Sequence, residues 1–210
     1  MARARRLPEA AGPRQGQTGT GPSLRLLILG DSSAAGVGAA HQDQALAGRL
    51  RDRLSEHFSL QWRLLARSGA TTRTALRLLD TLPPARFDAV VIALGVNDTK
   101  NGLSLPGWQA NYGALIDRLE NRFGARTICL SGVPPLQHFP ALPNPLRDVL
   151  GRRAARLDTV LRQMAHTRPN LHHVPLDFDL DPKFMAPDGF HPGPPGYDEW
   201  ARRLAPYLTT

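Results

Sequence analysis

With 210 residues, 41% of them hydrophobic, the chain has the length of one domain and enough apolar material for a sizeable core. Its formal charge of +8 is almost all arginine, Lys100 and Lys183 being the only lysines, and the arginines are scattered rather than packed in one block, which argues against a nucleic-acid partner. A single cysteine, Cys129, excludes an intramolecular disulfide framework and a multi-cysteine metal site, and its place in an apolar run reads as a buried thiol.

Residues 1–23 are cationic and poor in hydrophobic residues, and no apolar segment of the kind a signal peptide needs follows the pair Arg5-Arg6. They are expected to form a disordered basic tail, with the domain running from 24 to 210. No apolar run approaches the ~18–20 residues of a membrane span, so a cytoplasmic protein is expected.

From residue 24 onward, strand-length apolar runs alternate with helical periodicity. Residues 24–29 are apolar apart from Arg25, as in a strand buried on both faces. Leu46, Leu50 and Leu54 mark an amphipathic helix. Residues 60–66 read as a second strand and 72–79 as a short helix halted before Pro83-Pro84. Residues 89–94 form the strongest strand, and the face Trp108, Tyr112, Leu115, Ile116 and Leu119 gives a helix closed near Gly124. A fourth strand spans 127–130; the stretch 133–145, with five prolines, must be a loop. A long helix from Leu146 to Met164, a brief strand at 171–174 and a last helix from about Tyr197 to Leu208 complete the chain. The alternation predicts a three-layer α/β/α sandwich around a five-stranded parallel sheet.

In such sheets the ligand sits beyond the carboxyl ends of the strands. Gly30-Asp31-Ser32 follows the first strand, Ser68-Gly69-Ala70-Thr71 the second and Gly95-Val96-Asn97-Asp98 the third, while Asp188-Gly189-Phe190-His191-Pro192 precedes the last helix. The first of these loops is either a phosphate cradle or the seat of a nucleophile. A phosphate loop needs Gly-Lys-Ser/Thr at its end, and Gly36-Val37-Gly38 leads instead to Ala39-Ala40-His41. The G-x-G-x-x-G pattern of dinucleotide binders is absent as well, and Asp31 would repel a phosphate.

A serine nucleophile at Ser32 needs a base, a group that orients the base, and donors for an oxyanion. Of seven histidines, His191 stands apart: it lies three residues after Asp188 in a Gly- and Pro-rich turn that can aim both side chains at one point. Asn97 offers an amide and Gly69 an unobstructed N–H. Each of these features alone has an ordinary structural explanation as a turn or a strand terminator.

The ordered set GDS, SGAT, GVND and DGFHP resembles the SGNH hydrolases, also called the GDSL esterase/lipase family, across roughly residues 24–208. The resemblance implies their flavodoxin-like fold and hydrolysis of a carboxylic ester or thioester through an acyl-enzyme on Ser32. His191 would be the base, Asp188 its orienting group, and the N–H of Ser32, the N–H of Gly69 and the Asn97 amide the oxyanion hole. Asp31 would hold the loop. The sequence departs from the family's usual form at Ser33, where leucine is common, and this leaves a second hydroxyl beside the first. A sugar-O-acetyl esterase or acyltransferase of the same family is the alternative, and a non-catalytic binding module the alternative of another class. No cofactor or metal is expected; the run Asp177 to Asp181 has Pro182 where a calcium loop needs its glycine turn. The expected partner is a small-molecule ester. Leu136, Phe139 and Leu142 in the Pro-rich loop either wall an apolar acyl pocket beside Ser32 or equally pack over the sheet edge.

Overall fold

The computed structural model describes residues 7–177 and 182–209. Its six strands lie in one sheet in the order β1-β3-β2-β4-β5-β6: β1 Gln15–Thr18, β2 Ser23–Gly30, β3 Ser59–Ala66, β4 Ala89–Ala93, β5 Thr127–Ser131 and β6 Leu171–Val174. All neighbouring pairs from β3 to β6 run parallel. The helices are α1 Leu46–Ser55, α2 Thr72–Asp80, α3 Leu105–Phe123, α4 Leu146–Ala165 and α5 Pro194–Leu204.

Alternation along the central strands builds two cores. On β2, Leu27 and Leu29 join Val90, Ile92 and the apolar faces of α2, α3 and α4. Leu26 and Ile28 turn to the other side, against α1 and α5. A strand with both faces buried reads as a continuous apolar run, which is why β2 and β4 are so plain in the sequence. Caps fix where the helices begin: Thr71 closes a capping box with Thr74 on α2, and Ser104 accepts the Gly107 N–H on α3.

The sheet differs from the five-stranded parallel expectation at its edge. Gln15–Thr18, expected to be disordered tail, pairs antiparallel with Leu60–Arg63. Its sequence, QGQT, carries no apolar pattern; what it offers is backbone, which covers the N–H and C=O groups that β3 would otherwise expose. The last helix begins at Pro194 rather than near Tyr197, with proline in its first turn, where a missing N–H costs nothing. Cys129 is buried in β5, and burial pushes its thiol up to about 12. No helix among the described residues is long and apolar enough to cross a membrane.

The register decides where chemistry can occur. Gly30, the end of β2, pairs with both Ala66 of β3 and Ala93 of β4, so the chain leaves all three strands at one level. From β2 the chain proceeds to β3 on one side and then to β4 on the other, which opens a crevice at the shared edge.

Candidate active site

The turn after β2 is held by its own backbone: Ala35 N–H donates to Asp31 C=O at 2.9 Å and Val37 N–H to Ser32 C=O at 3.0 Å. Asp31 is buried beneath it. Its carboxylate accepts the Ser33 N–H at 3.0 Å and the Asn97 amide at 3.3 Å. Burial pushes that carboxyl up to about 7; Ser33 N–H and Lys100 pull against this, and Asp98 adds to it.

Ser32 and His191, 159 positions apart, meet through Oγ and Nε2 at 2.9 Å. The other ring nitrogen, Nδ1, faces Asp188 Oδ2 at 2.6 Å. Asp188 Oδ1 accepts the N–H groups of Phe190 and His191, each at 3.0 Å. Burial raises the Asp188 carboxyl, but those N–H groups and the imidazole outweigh it and hold it below the ordinary carboxylate range. A turn of four residues thus fixes the carboxylate, and the carboxylate fixes the ring.

Two residues that sequence reasoning missed bring this turn to the serine. A Cβ on Gly38, at φ +104, would stand 2.2 Å from the Pro192 carbonyl oxygen, so the loops touch only because position 38 is glycine. Behind it, the buried Tyr197 hydroxyl donates to Val37 C=O at 2.7 Å. The sequence does carry a signal for Gly38, but Gly36-Val37-Gly38 reads there as a failed phosphate loop and not as a point of contact between loops.

The third strand end brings Asn97. Its Nδ2 donates to Ala70 C=O at 3.0 Å as well as to Asp31, so one amide ties together the loops after β2, β3 and β4. Next to it, buried Asp98 accepts the N–H and hydroxyl of Thr72, both at 3.0 Å, and anchors the start of α2. Gly69 is exposed in the loop after β3, at φ +79, with nothing within 4 Å of the place a Cβ would occupy. Ser33 turns its N–H to Asp31 and lines a cavity, while the two ring nitrogens of His191 go to Ser32 and Asp188.

That cavity, about 50 Å³, lies beside Asp31 and Ser33 and is lined mainly by apolar groups, among them Val96, Pro134, Phe139, Met185, Phe190 and Trp200. Phe139 and Phe190 meet edge to face at 5.4 Å. Of the candidate wall residues, Phe139 serves; Leu136 is fully buried in the core and Leu142 packs against it. Asp177 pairs with Arg203 at 2.7 Å, and positions 178–181 of the aspartate run lie outside the described residues. Among the described residues no cluster of three or more His, Cys, Asp or Glu could hold a metal ion.

The sequence model of the GDSL-like lipase/acylhydrolase family matches residues 28–199. The chain belongs to this family. A curated relative, the GDSL-like esterase Rv1075c of Mycobacterium tuberculosis, is 32% identical over 83% of this chain. The match covers 58% of that relative, so the chain spans little more than half its length. Among solved structures, TesA superposes with a TM-score of 0.66 at 24% identity, covering 88% of this chain and 97% of that one. The psychrotrophic esterase EstA from a Pseudoalteromonas species, solved with monoethylphosphonate, gives 0.67 at 22% identity, covering 88% and 96%. These likenesses establish the α/β fold with its mostly parallel sheet.

Proposed function

We propose that the chain hydrolyses carboxylic esters of apolar acyl groups through an acyl-enzyme on Ser32. The observation that carries this reading is the chain of contacts from Ser32 Oγ to His191 Nε2 at 2.9 Å and from His191 Nδ1 to Asp188 at 2.6 Å. Ser32 Oγ attacks the ester carbonyl as His191 Nε2 takes its proton. Asp188 keeps the ring in the tautomer that presents Nε2 and stabilises the imidazolium that forms. The oxyanion is met by the N–H of Ser32, the N–H of Gly69 and the Asn97 amide. In the resting state both Asn97 donors are engaged, and the 3.3 Å bond to Asp31 is the longer and cheaper to share. His191 then returns the proton to the departing alcohol, and water repeats the sequence to free the acid.

The cavity favours an apolar acyl group. Its lining, beside Asp31 and Ser33, is mainly apolar and suits a hydrocarbon acyl chain rather than a polar group. Rates on p-nitrophenyl acetate, butyrate, octanoate and palmitate test this, with Ser32→Ala in parallel. The reading requires activity that is lost in Ser32→Ala. The chain-length profile reports how far the acyl pocket extends, and equal rates in both proteins would remove Ser32. Acetate alone as substrate would favour the sugar-O-acetyl esterase, whose acyl group also fits this space.

A further inference from the structure

The segment before β2 does more than extend the sheet. Residues 9–14 cross two of the loops that form the site. Ala10 N–H donates to Ala35 C=O at 3.2 Å, and the buried Gln42 side chain donates to both Ala10 C=O and Ala35 C=O, at 3.2 and 3.0 Å. These contacts join the strap to the turn that carries Ser32. On the other side, Glu9 Oε1 accepts the Ser68 N–H at 2.7 Å, one residue before Gly69. Arg14 braces it: one guanidinium nitrogen reaches Glu9 Oε2 at 3.1 Å and the other the Ala66 carbonyl, at the end of β3, at 2.8 Å.

Besides the strap, the loop being held has a backbone bond to the sheet, Arg67 N–H to Gly30 C=O at 3.3 Å. Arg67, Ser68 and Gly69 are exposed, and no atom lies within 4 Å of a Cβ built on Gly69. Packing therefore cannot set the position of that peptide. Hydrogen bonds do: Ser68 N–H to Glu9 on one side, Ala70 N–H to Arg67 C=O at 3.0 Å and Ala70 C=O to Asn97 on the other. Fold stability is a poor explanation for the Glu9–Arg14 pair, because the two side chains are 30% and 40% exposed and such pairs contribute little. Burial raises the Glu9 carboxyl, but the Ser68 N–H and Arg14 outweigh it, so Glu9 is a carboxylate at neutral pH and its bond to Ser68 is charge-assisted.

We propose that Glu9, braced by Arg14, is a positioning residue that holds the Gly69 peptide in register with Ser32 for the oxyanion. This rests on the hydrolase reading above. A misplaced donor lowers the rate of the chemical step and leaves substrate binding nearly intact, so the change appears in kcat.

The test compares wild type, Glu9→Ala, Glu9→Gln, Arg14→Ala and Ser32→Ala on p-nitrophenyl butyrate, with melting temperatures and hydrogen exchange over residues 67–70. Glu9→Ala should lower kcat roughly tenfold with KM nearly unchanged, and the Ser68 amide should exchange faster. Glu9→Gln keeps an oxygen for the Ser68 N–H and should stay within about threefold of wild type. Arg14→Ala, which leaves the Glu9–Ser68 bond but loosens the carboxylate, should fall between them and serves if Glu9→Ala does not fold. Wild-type kcat in Glu9→Ala, in an enzyme that Ser32→Ala silences, would overturn the positioning role and leave the hydrolase reading standing. Equal losses in the Ala and Gln variants, tracking a lowered melting temperature, would make Glu9 merely structural and overturn it too. Full activity in Ser32→Ala would instead remove the hydrolase reading, and the proposal with it.

Discussion

In the Asp188–His191 pair, Nδ1 meets the carboxylate at 2.6 Å and Nε2 faces Ser32; in the Asp158–His173 pair, Nε2 itself meets the carboxylate, at 2.9 Å. Burial does not separate the two: the side chains are 15% and 8% exposed in the first pair and 8% and 16% in the second, histidine given first. The difference lies in what each carboxylate binds besides its histidine. Asp188 takes the backbone N–H groups of its own turn, so the ring is locked to one short segment and its far nitrogen is presented to another. Asp158 takes the Val133 N–H at 3.0 Å and Arg162 at 3.1 Å, and so ties α4 to the exit of β5 and to β6. On the proposed reading, a histidine–aspartate contact serves chemistry when the second nitrogen is aimed at a nucleophile, and structure when the carboxylate is spent on the scaffold.

The largest expected effect breaks the first pair. His191→Ala should lower kcat by on the order of 10⁴-fold, with an unchanged melting temperature within a few degrees, measured by steady-state kinetics and calorimetry. Asn97→Ala comes next: loss of one oxyanion donor typically costs 10²–10³ in kcat, and near-normal turnover would show that the amide serves only to join the three loops.

Asp31, which touches neither histidine, makes the third test one of pH. Burial raises its carboxyl from 3.8 to about 7, so between those values the folded protein keeps a proton that the unfolded chain has released. Stability from this group therefore falls as pH rises through that window and stays reduced above it. Asp31→Asn should flatten the fall, which amounts to about 1.4 kcal/mol per pH unit at most, when urea midpoints are compared at both ends of the window. The smallest effect on activity belongs to the second pair. His173→Ala should cost ~1–3 kcal/mol of stability, by leaving Asp158 under-bonded, while kcat stays within a few-fold. A loss of turnover as large as that of His191→Ala would erase the distinction between the pairs.

The sequence is legible where burial dictates residue type. The strands β2 and β4 announce themselves because both faces are covered, and even the four residues of β6 carry their apolar ends at Leu171 and Val174. The strand β1 is illegible because it contributes backbone to a finished edge, and any polar segment of the right length could do that. The same division runs through the site. That Ser32, His191 and Asp188 meet was readable because the proposed chemistry restricts their types and their ordered motifs restrict their places. Gly38, Tyr197 and Glu9 were not, since each acts on a backbone atom far along the chain that only the folded structure brings near. Leu136 is a case the sequence leaves open: an apolar residue in a proline-rich loop suits a pocket wall or packing over the sheet equally, and the short helical turn Leu136–His138 directs it into the core.

The central claim is that His191 activates Ser32 and not its neighbour Ser33. Treating wild type and His191→Ala with a fluorophosphonate and mapping the adduct by peptide mass spectrometry tests it most directly. The account predicts one adduct, on Ser32, formed rapidly in the wild type and scarcely at all in the variant. An adduct on Ser33, or equal labelling of both proteins, would contradict it.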